Sequence, residues 1–112
     1  MARVLIVDDL PDSLLASRAA LAGAGHECVL APGGDWALHH LASGEYDVVV
    51  LDPAMPLHDG WPVLTAARSV PVVVMSAAPV HPDGVAAVLP KPCPAADLVE
   101  AVAAALAGSR PG

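Results

Sequence analysis

At 112 residues the chain has room for one compact domain and little for a second core; 55% of it is hydrophobic with no phenylalanine, so Val, Leu and Ala must build the interior. Twelve Asp and Glu against five Lys and Arg give a net charge of −7, the wrong sign for counterion-release binding to DNA or RNA. Mean hydropathy is high, +0.59, but no uninterrupted apolar run reaches the ~18–20 residues of a membrane-spanning helix, and Met1–Val7 passes straight into Asp8 and Asp9 with no signal-peptide layout, so a cytoplasmic protein is expected.

Arg3 to Val7 ("RVLIV") predicts a strand that stops at Asp8-Asp9, and Asp12 or Ser13 can cap a helix running to about Ala24, with Gly25 as its stop. His26–Ala31 predicts a second strand, followed by the turn Pro32-Gly33-Gly34 and a helix capped by Asp35 that ends near Ser43. Asp47–Leu51 carries four apolar residues in a row, a pattern a strand sustains only when helices cover both its faces, so this strand belongs at the centre of a parallel sheet. Gly60–Ser69 predicts a third helix, Val70–Met75 a fourth strand, Ala86–Leu89 a fifth, and Pro94–Ala107 a last, Ala-rich helix. The alternation is that of an α/β fold. Only about ten residues, Ser76–Val85, separate the last two strands, and Pro79, Pro82 and Gly84 disfavour a helix there, so a loop or one turn around Pro82–Val85 is expected.

In such a sheet the ligand crevice lies beyond the carboxyl ends of the strands. That rim carries Asp8 and Asp9 after the first strand, Asp52 after the third, Ser76 after the fourth and Lys91, the chain's only lysine, after the fifth. Each alone has a bland reading: helix-start residues, a strand-end turn, a loop hydroxyl, a solvated charge. Together they form a site. Close carboxylates repel by on the order of a few kcal/mol per pair at an effective dielectric near 20, so they must share a cation or take up protons. Mg²⁺ suits them, since it takes one or two carboxylates with waters and phosphate oxygens. A carboxylate beside Mg²⁺ and a lysine is also placed to attack a phosphoryl group, and Asp52 is the carboxylate expected to have a free approach.

The pieces "VLIVDD" (4–9), "LDPAMPLHDG" (51–60), "VVVMSA" (72–77) and "PKP" (90–92), in this order and spacing, resemble the receiver domain of two-component response regulators over about residues 2–107. Met55, Pro56 and Asp59-Gly60 stand at the family's offsets from the phosphoacceptor position, Asp52. The resemblance implies a doubly wound five-stranded parallel sheet of order 2-1-3-4-5, with Mg²⁺ on Asp9, Asp52 and the backbone carbonyl of Ala54 and with Asp8 acting through water. It further implies Ser76 as the switch hydroxyl, Lys91 on a phosphoryl oxygen, and a cis bond between Lys91 and Pro92. Two departures are visible: Val88 replaces the family's switch aromatic, and the segment between Ser76 and Lys91 is about seven residues short. Helix four is therefore expected to be absent or reduced to a loop or one turn, with an altered output face and relay.

The function implied is a single-domain receiver (1–108, with a frayed tail 109–112) phosphorylated on Asp52 by a histidine kinase or phosphotransfer protein. It would be read by a downstream protein partner or by homodimerisation, and would be no enzyme beyond Mg²⁺-dependent self-phosphorylation and autodephosphorylation. The alternative is a degenerate receiver serving as a phosphorylation-independent interaction or dimerisation module. A phosphohydrolase with an aspartate nucleophile would need a general acid two residues after Asp52, where Ala54 stands. Cys28 and Cys93 fit no metal spacing and are expected as buried, reduced thiols. His39 and His40 point about 100° apart on a helix and form no metal pair; His58 is expected at the surface, and Trp36 and Trp61 as packing residues.

Overall fold

The computed structural model describes residues 2–53, 61–67, 69–78 and 82–108. Its elements follow in the order β1 (Arg3–Val7), α1 (Pro11–Gly23), β2 (Glu27–Ala31), α2 (Gly34–Ser43), β3 (Val48–Leu51), α3 (Trp61–Ala66), β4 (Val72–Ser76), β5 (Ala87–Pro90) and α4 (Ala95–Gly108). The five strands form one all-parallel sheet of order β2-β1-β3-β4-β5.

The unbroken apolar runs of β1, β3 and β4 arise from two different cores. Successive side chains of a strand point to opposite faces. Leu5, Val7, Val49, Leu51, Val72 and Val74 therefore pack on one face with Ala37 of α2 and Val63 of α3. Val4, Ile6, Val48, Val50, Val73 and Met75 pack on the other with Leu14 and Leu21 of α1 and Leu98, Val102 and Ala105 of α4. β3 is buried at every position, as a central strand must be, whereas the edge strands β2 and β5 are only partly buried.

The expectation of an absent or reduced fourth helix is overturned. The fourth helix, α4, is present over fourteen residues, where the last, Ala-rich helix is predicted, because Leu98, Val102 and Ala105, spaced four and three apart, give it a continuous buried stripe against the sheet. Between β4 and β5, Asp83 and Gly84 form a turn in which Gly84 has φ +78, a backbone region that glycine enters without a Cβ penalty.

Other boundaries differ for local reasons. Helix α1 starts at Pro11, which needs no N–H partner in the first turn, and no side chain caps it: Ser13, expected as a cap, lies inside the helix. Helix α2 is capped by Gly33, and Asp35 makes no capping bond. Strand β4 begins at Val72, two residues later than expected, with Pro71 contributing only its carbonyl to Val49 N. Cys28 and Cys93 are half-buried rather than buried, and burial raises both thiols above their ordinary value. Trp36 is 58% exposed, with its ring 6.5 Å from that of His40.

Opposite the acidic rim, Arg3 ties together the starts of β1 and β3. Its N donates to Asp47 Oδ2 at 2.8 Å, its Nη1 donates to the Glu45 carbonyl at 3.2 Å, and its guanidinium lies 4.8 Å from the centre of the Tyr46 ring. Arg3→Ala is expected to lower stability by about 1 kcal/mol through lost cation–π contact and stem packing, read as a lower urea midpoint at unchanged m-value.

Candidate functional site

Parallel pairing brings the predicted residues to one rim, and the ladders run one residue past the strand ends to do it. Asp8 N donates to the Ala31 carbonyl at 3.2 Å, Asp52 N to the Val7 carbonyl at 3.1 Å, and Lys91 N to the Ser76 carbonyl at 3.1 Å. Each bond extends a strand pair beyond its last regular residue, so the side chains of Asp8, Asp52 and Lys91 leave the sheet from positions held by the backbone.

Lys91 joins the carboxylates. Its ammonium donates to Asp52 Oδ2 at 2.9 Å and also to Asp8 Oδ2. The open approach expected for Asp52 is not what the geometry gives: Asp8, Asp52 and Ser76 are 4%, 9% and 4% exposed. Burial alone would lower the Lys91 pKa, but the hydrogen bonds and charges of Asp8 and Asp52 outweigh it and hold the ammonium above the ordinary lysine value of 10.5. Ser76 ends β4 with its hydroxyl accepting from Ala78 N at 3.1 Å. Asp9 is half-buried beside Asp8. The bond between Lys91 and Pro92 is cis. The carbonyl of Ala54, and with it Met55, Pro56, His58, Asp59 and Gly60, lies outside the described residues, as does the tail 109–112.

Sequence reasoning missed what holds Asp8. Leu10 N donates to its Oδ1 at 3.0 Å and Ser13 Oγ to its Oδ2 at 2.7 Å, so with Lys91 the carboxylate accepts from three donors. The available signal was Ser13 itself, placed one helical turn or less from the Asp8 strand end once Pro11 starts the helix. Ser13→Ala is expected to cost about 1.5 kcal/mol, the range for a hydrogen bond to a charged group. Ser13→Thr should retain most of it, and denaturant titration of both variants checks this.

The donor set fits a hard divalent cation. Among the described residues no three His, Cys, Asp or Glu side chains gather into a metal cage, but Mg²⁺ requires only one or two carboxylates and keeps waters for the rest. Asp52 and Asp8, with Asp9 adjacent, supply hard oxygens at one rim.

Comparison with known proteins places these features in a family context. Residues 4–103 match the response regulator receiver domain. The transcriptional regulatory protein PrrA of Mycobacterium tuberculosis is 39% identical over 115 aligned residues, covering 93% of this chain and 49% of that protein. The transcriptional activator protein IrlR of Burkholderia pseudomallei is 38% identical over 78 residues, covering 67% of this chain and 34% of that protein. This chain thus spans between about a third and a half of these relatives' length. Among solved structures, the response regulator TrrA of Thermotoga maritima, in complex with Mg²⁺ and BeF, superposes with a TM-score of 0.82 at 28% identity, covering 92% of this chain and 97% of that one. No helix among the described residues is long and apolar enough to cross a membrane.

Proposed function

Because the chain belongs to the response regulator receiver domain family, we propose that it is a signalling receiver that accepts a phosphoryl group on Asp52 from a histidine kinase or phosphotransfer protein in the cytoplasm. The observation that carries this reading is the Lys91 ammonium held between Asp8 and Asp52 at the carboxyl end of the sheet. In the transfer an Asp52 carboxylate oxygen forms a bond to phosphorus as the bond from phosphorus to the donor's nitrogen breaks.

Lys91 lies within hydrogen-bond distance of the reacting carboxylate, where it can offset the charge that develops on the phosphoryl oxygens. Asp9 and Asp52 would hold Mg²⁺ directly, with Asp8 acting through water; bound there, the ion supplies neutralisation of charge on the transferring oxygens. Ser76, buried at the end of β4, would donate its O–H to the phosphoryl group, which the bond its oxygen accepts from Ala78 N leaves possible. As an aspartyl phosphate Asp52 would carry roughly −1.5 to −2 in place of the carboxylate's −1, drawing Lys91 away from Asp8, and that change is what a downstream partner or a second copy would read. The chain would turn over no external substrate.

A small phosphoryl donor with Mg²⁺, followed by intact mass measurement, tests this. Wild type is expected to gain the mass of one phosphoryl group and Asp52→Asn none. A wild type of unchanged mass would overturn the reading in favour of a phosphorylation-independent interaction module.

A further inference from the structure

A groove of about 830 Å³ runs beside the acidic cluster between α1 and α4. It is open because small side chains line it: Ala16, Ser17 and Ala20 on α1, Ala77 just past β4, and Ala95 at the start of α4, with Leu98 adding apolar surface. Ser17 stands out among them. It lies between Leu14 and Leu21 on the buried stripe of α1 and is 4% exposed, yet its hydroxyl makes no hydrogen bond among the described residues. Every fully occluded side-chain polar atom of those residues has a partner, so the Ser17 hydroxyl opens into the groove it lines.

The groove's chemistry restricts what it can take. Lys91 also borders it, but its ammonium is committed to Asp8 and Asp52 and offers no spare positive charge. Exposed Asp12 lines it too, and the chain carries a net charge of −7, so an anion is disfavoured. Apolar walls with one unpaired hydroxyl, in a volume typical of small-molecule sites, suit a compact ligand with one polar group.

We propose that the groove between α1 and α4 binds a small, neutral, largely apolar molecule whose single hydrogen-bonding group pairs with the Ser17 hydroxyl. The proposal does not rest on the phosphoacceptor reading, although Lys91 and Ser13 border both the groove and the carboxylate cluster.

The neutral dye N-phenyl-1-naphthylamine, whose N–H can donate to Ser17 Oγ, is the probe, with 1-benzylnaphthalene as the analogue that lacks the N–H. Saturable binding at one site is expected, read by dye fluorescence and by amide shifts centred on Ser13, Ser17, Ala77 and Cys93. Ser17→Ala should weaken the dye roughly twofold to tenfold, the loss of one hydrogen bond, and leave the analogue unchanged. Ala16→Phe, at an exposed position of the helix, should weaken both more than tenfold with the circular dichroism spectrum retained. Absence of saturable binding, affinities unaltered in both variants, or shifts centred elsewhere would overturn the proposal. Concentration-dependent dimerisation that Ala16→Phe abolishes would also overturn it, assigning the groove to a second copy.

Discussion

Lys91→Met is expected to destabilise the protein by about 3 kcal/mol, because it removes the shared cation from two buried carboxylates and leaves them facing each other. The side chains of Lys91, Asp8 and Asp52 are 12%, 6% and 11% exposed, so water screens this cluster far less than a surface pair, for which the same substitution would cost 1 kcal/mol at most. Methionine keeps the volume of the stem, which confines the loss to the charge. Adding Asp52→Asn to Lys91→Met removes one of the two repelling charges and should recover part of the stability, and urea titrations of the four proteins in this cycle measure the coupling. Equal urea midpoints for wild type and Lys91→Met would show that the bridge contributes nothing. The pH dependence has a definite sign. Lys91 is raised in the folded state, so its contribution is complete below the unfolded lysine value near 10.5 and disappears as pH rises through the higher folded value. The gap between wild type and Lys91→Met should therefore be constant through neutral pH and narrow above about 10.5.

Which parts of this cluster the sequence discloses follows from which interactions are local. Asp8, Asp52, Ser76 and Lys91 are legible because each sits just past, or at, the end of an apolar run, and a parallel sheet necessarily brings those ends to one rim. The split of the core between two faces is legible for the same reason, since alternation within β1 or β3 assigns each residue its side. The donors to Asp8 are different. Whether Ser13 caps α1 or turns its hydroxyl to the strand end depends on the helix starting at Pro11, a shift of two or three residues that local propensity leaves open. The pairing of Lys91 with Asp8 spans 83 positions and depends on the carboxylate being turned by Leu10 N and Ser13. The helix over Pro94–Ala107 is legible from its composition; what the short spacing between Ser76 and Lys91 obscures is that this helix, with its buried stripe of Leu98, Val102 and Ala105, is the chain's fourth.

Leu51→Ala is expected to cost about 4 kcal/mol, in the upper half of the range for a buried leucine truncation. Leu51 is 0% exposed and packs in the cluster with Val7, Val49, Val63 and Val74. Valine has a single preferred χ1 in most settings, so these neighbours cannot swing into the space the leucine vacates and a cavity persists. Against a total stability of about 5–15 kcal/mol, this loss places the variant close to unfolding at 25 °C. Leu15→Ala is the control: at 49% exposure, it should shift stability by about 0.5 kcal/mol or less. The bond from Asp52 N to the Val7 carbonyl is made by the backbone and survives the truncation, so the folded fraction of Leu51→Ala should still present Asp52 at the rim. Phosphoryl incorporation should then fall in proportion to the unfolded fraction, whereas Lys91→Met, which removes a cation from the cluster itself, should lower incorporation even where folding is complete. Paired urea and intact-mass measurements separate the two cases, and a Leu51→Ala loss under 1 kcal/mol would show that this face of the sheet closes over the cavity.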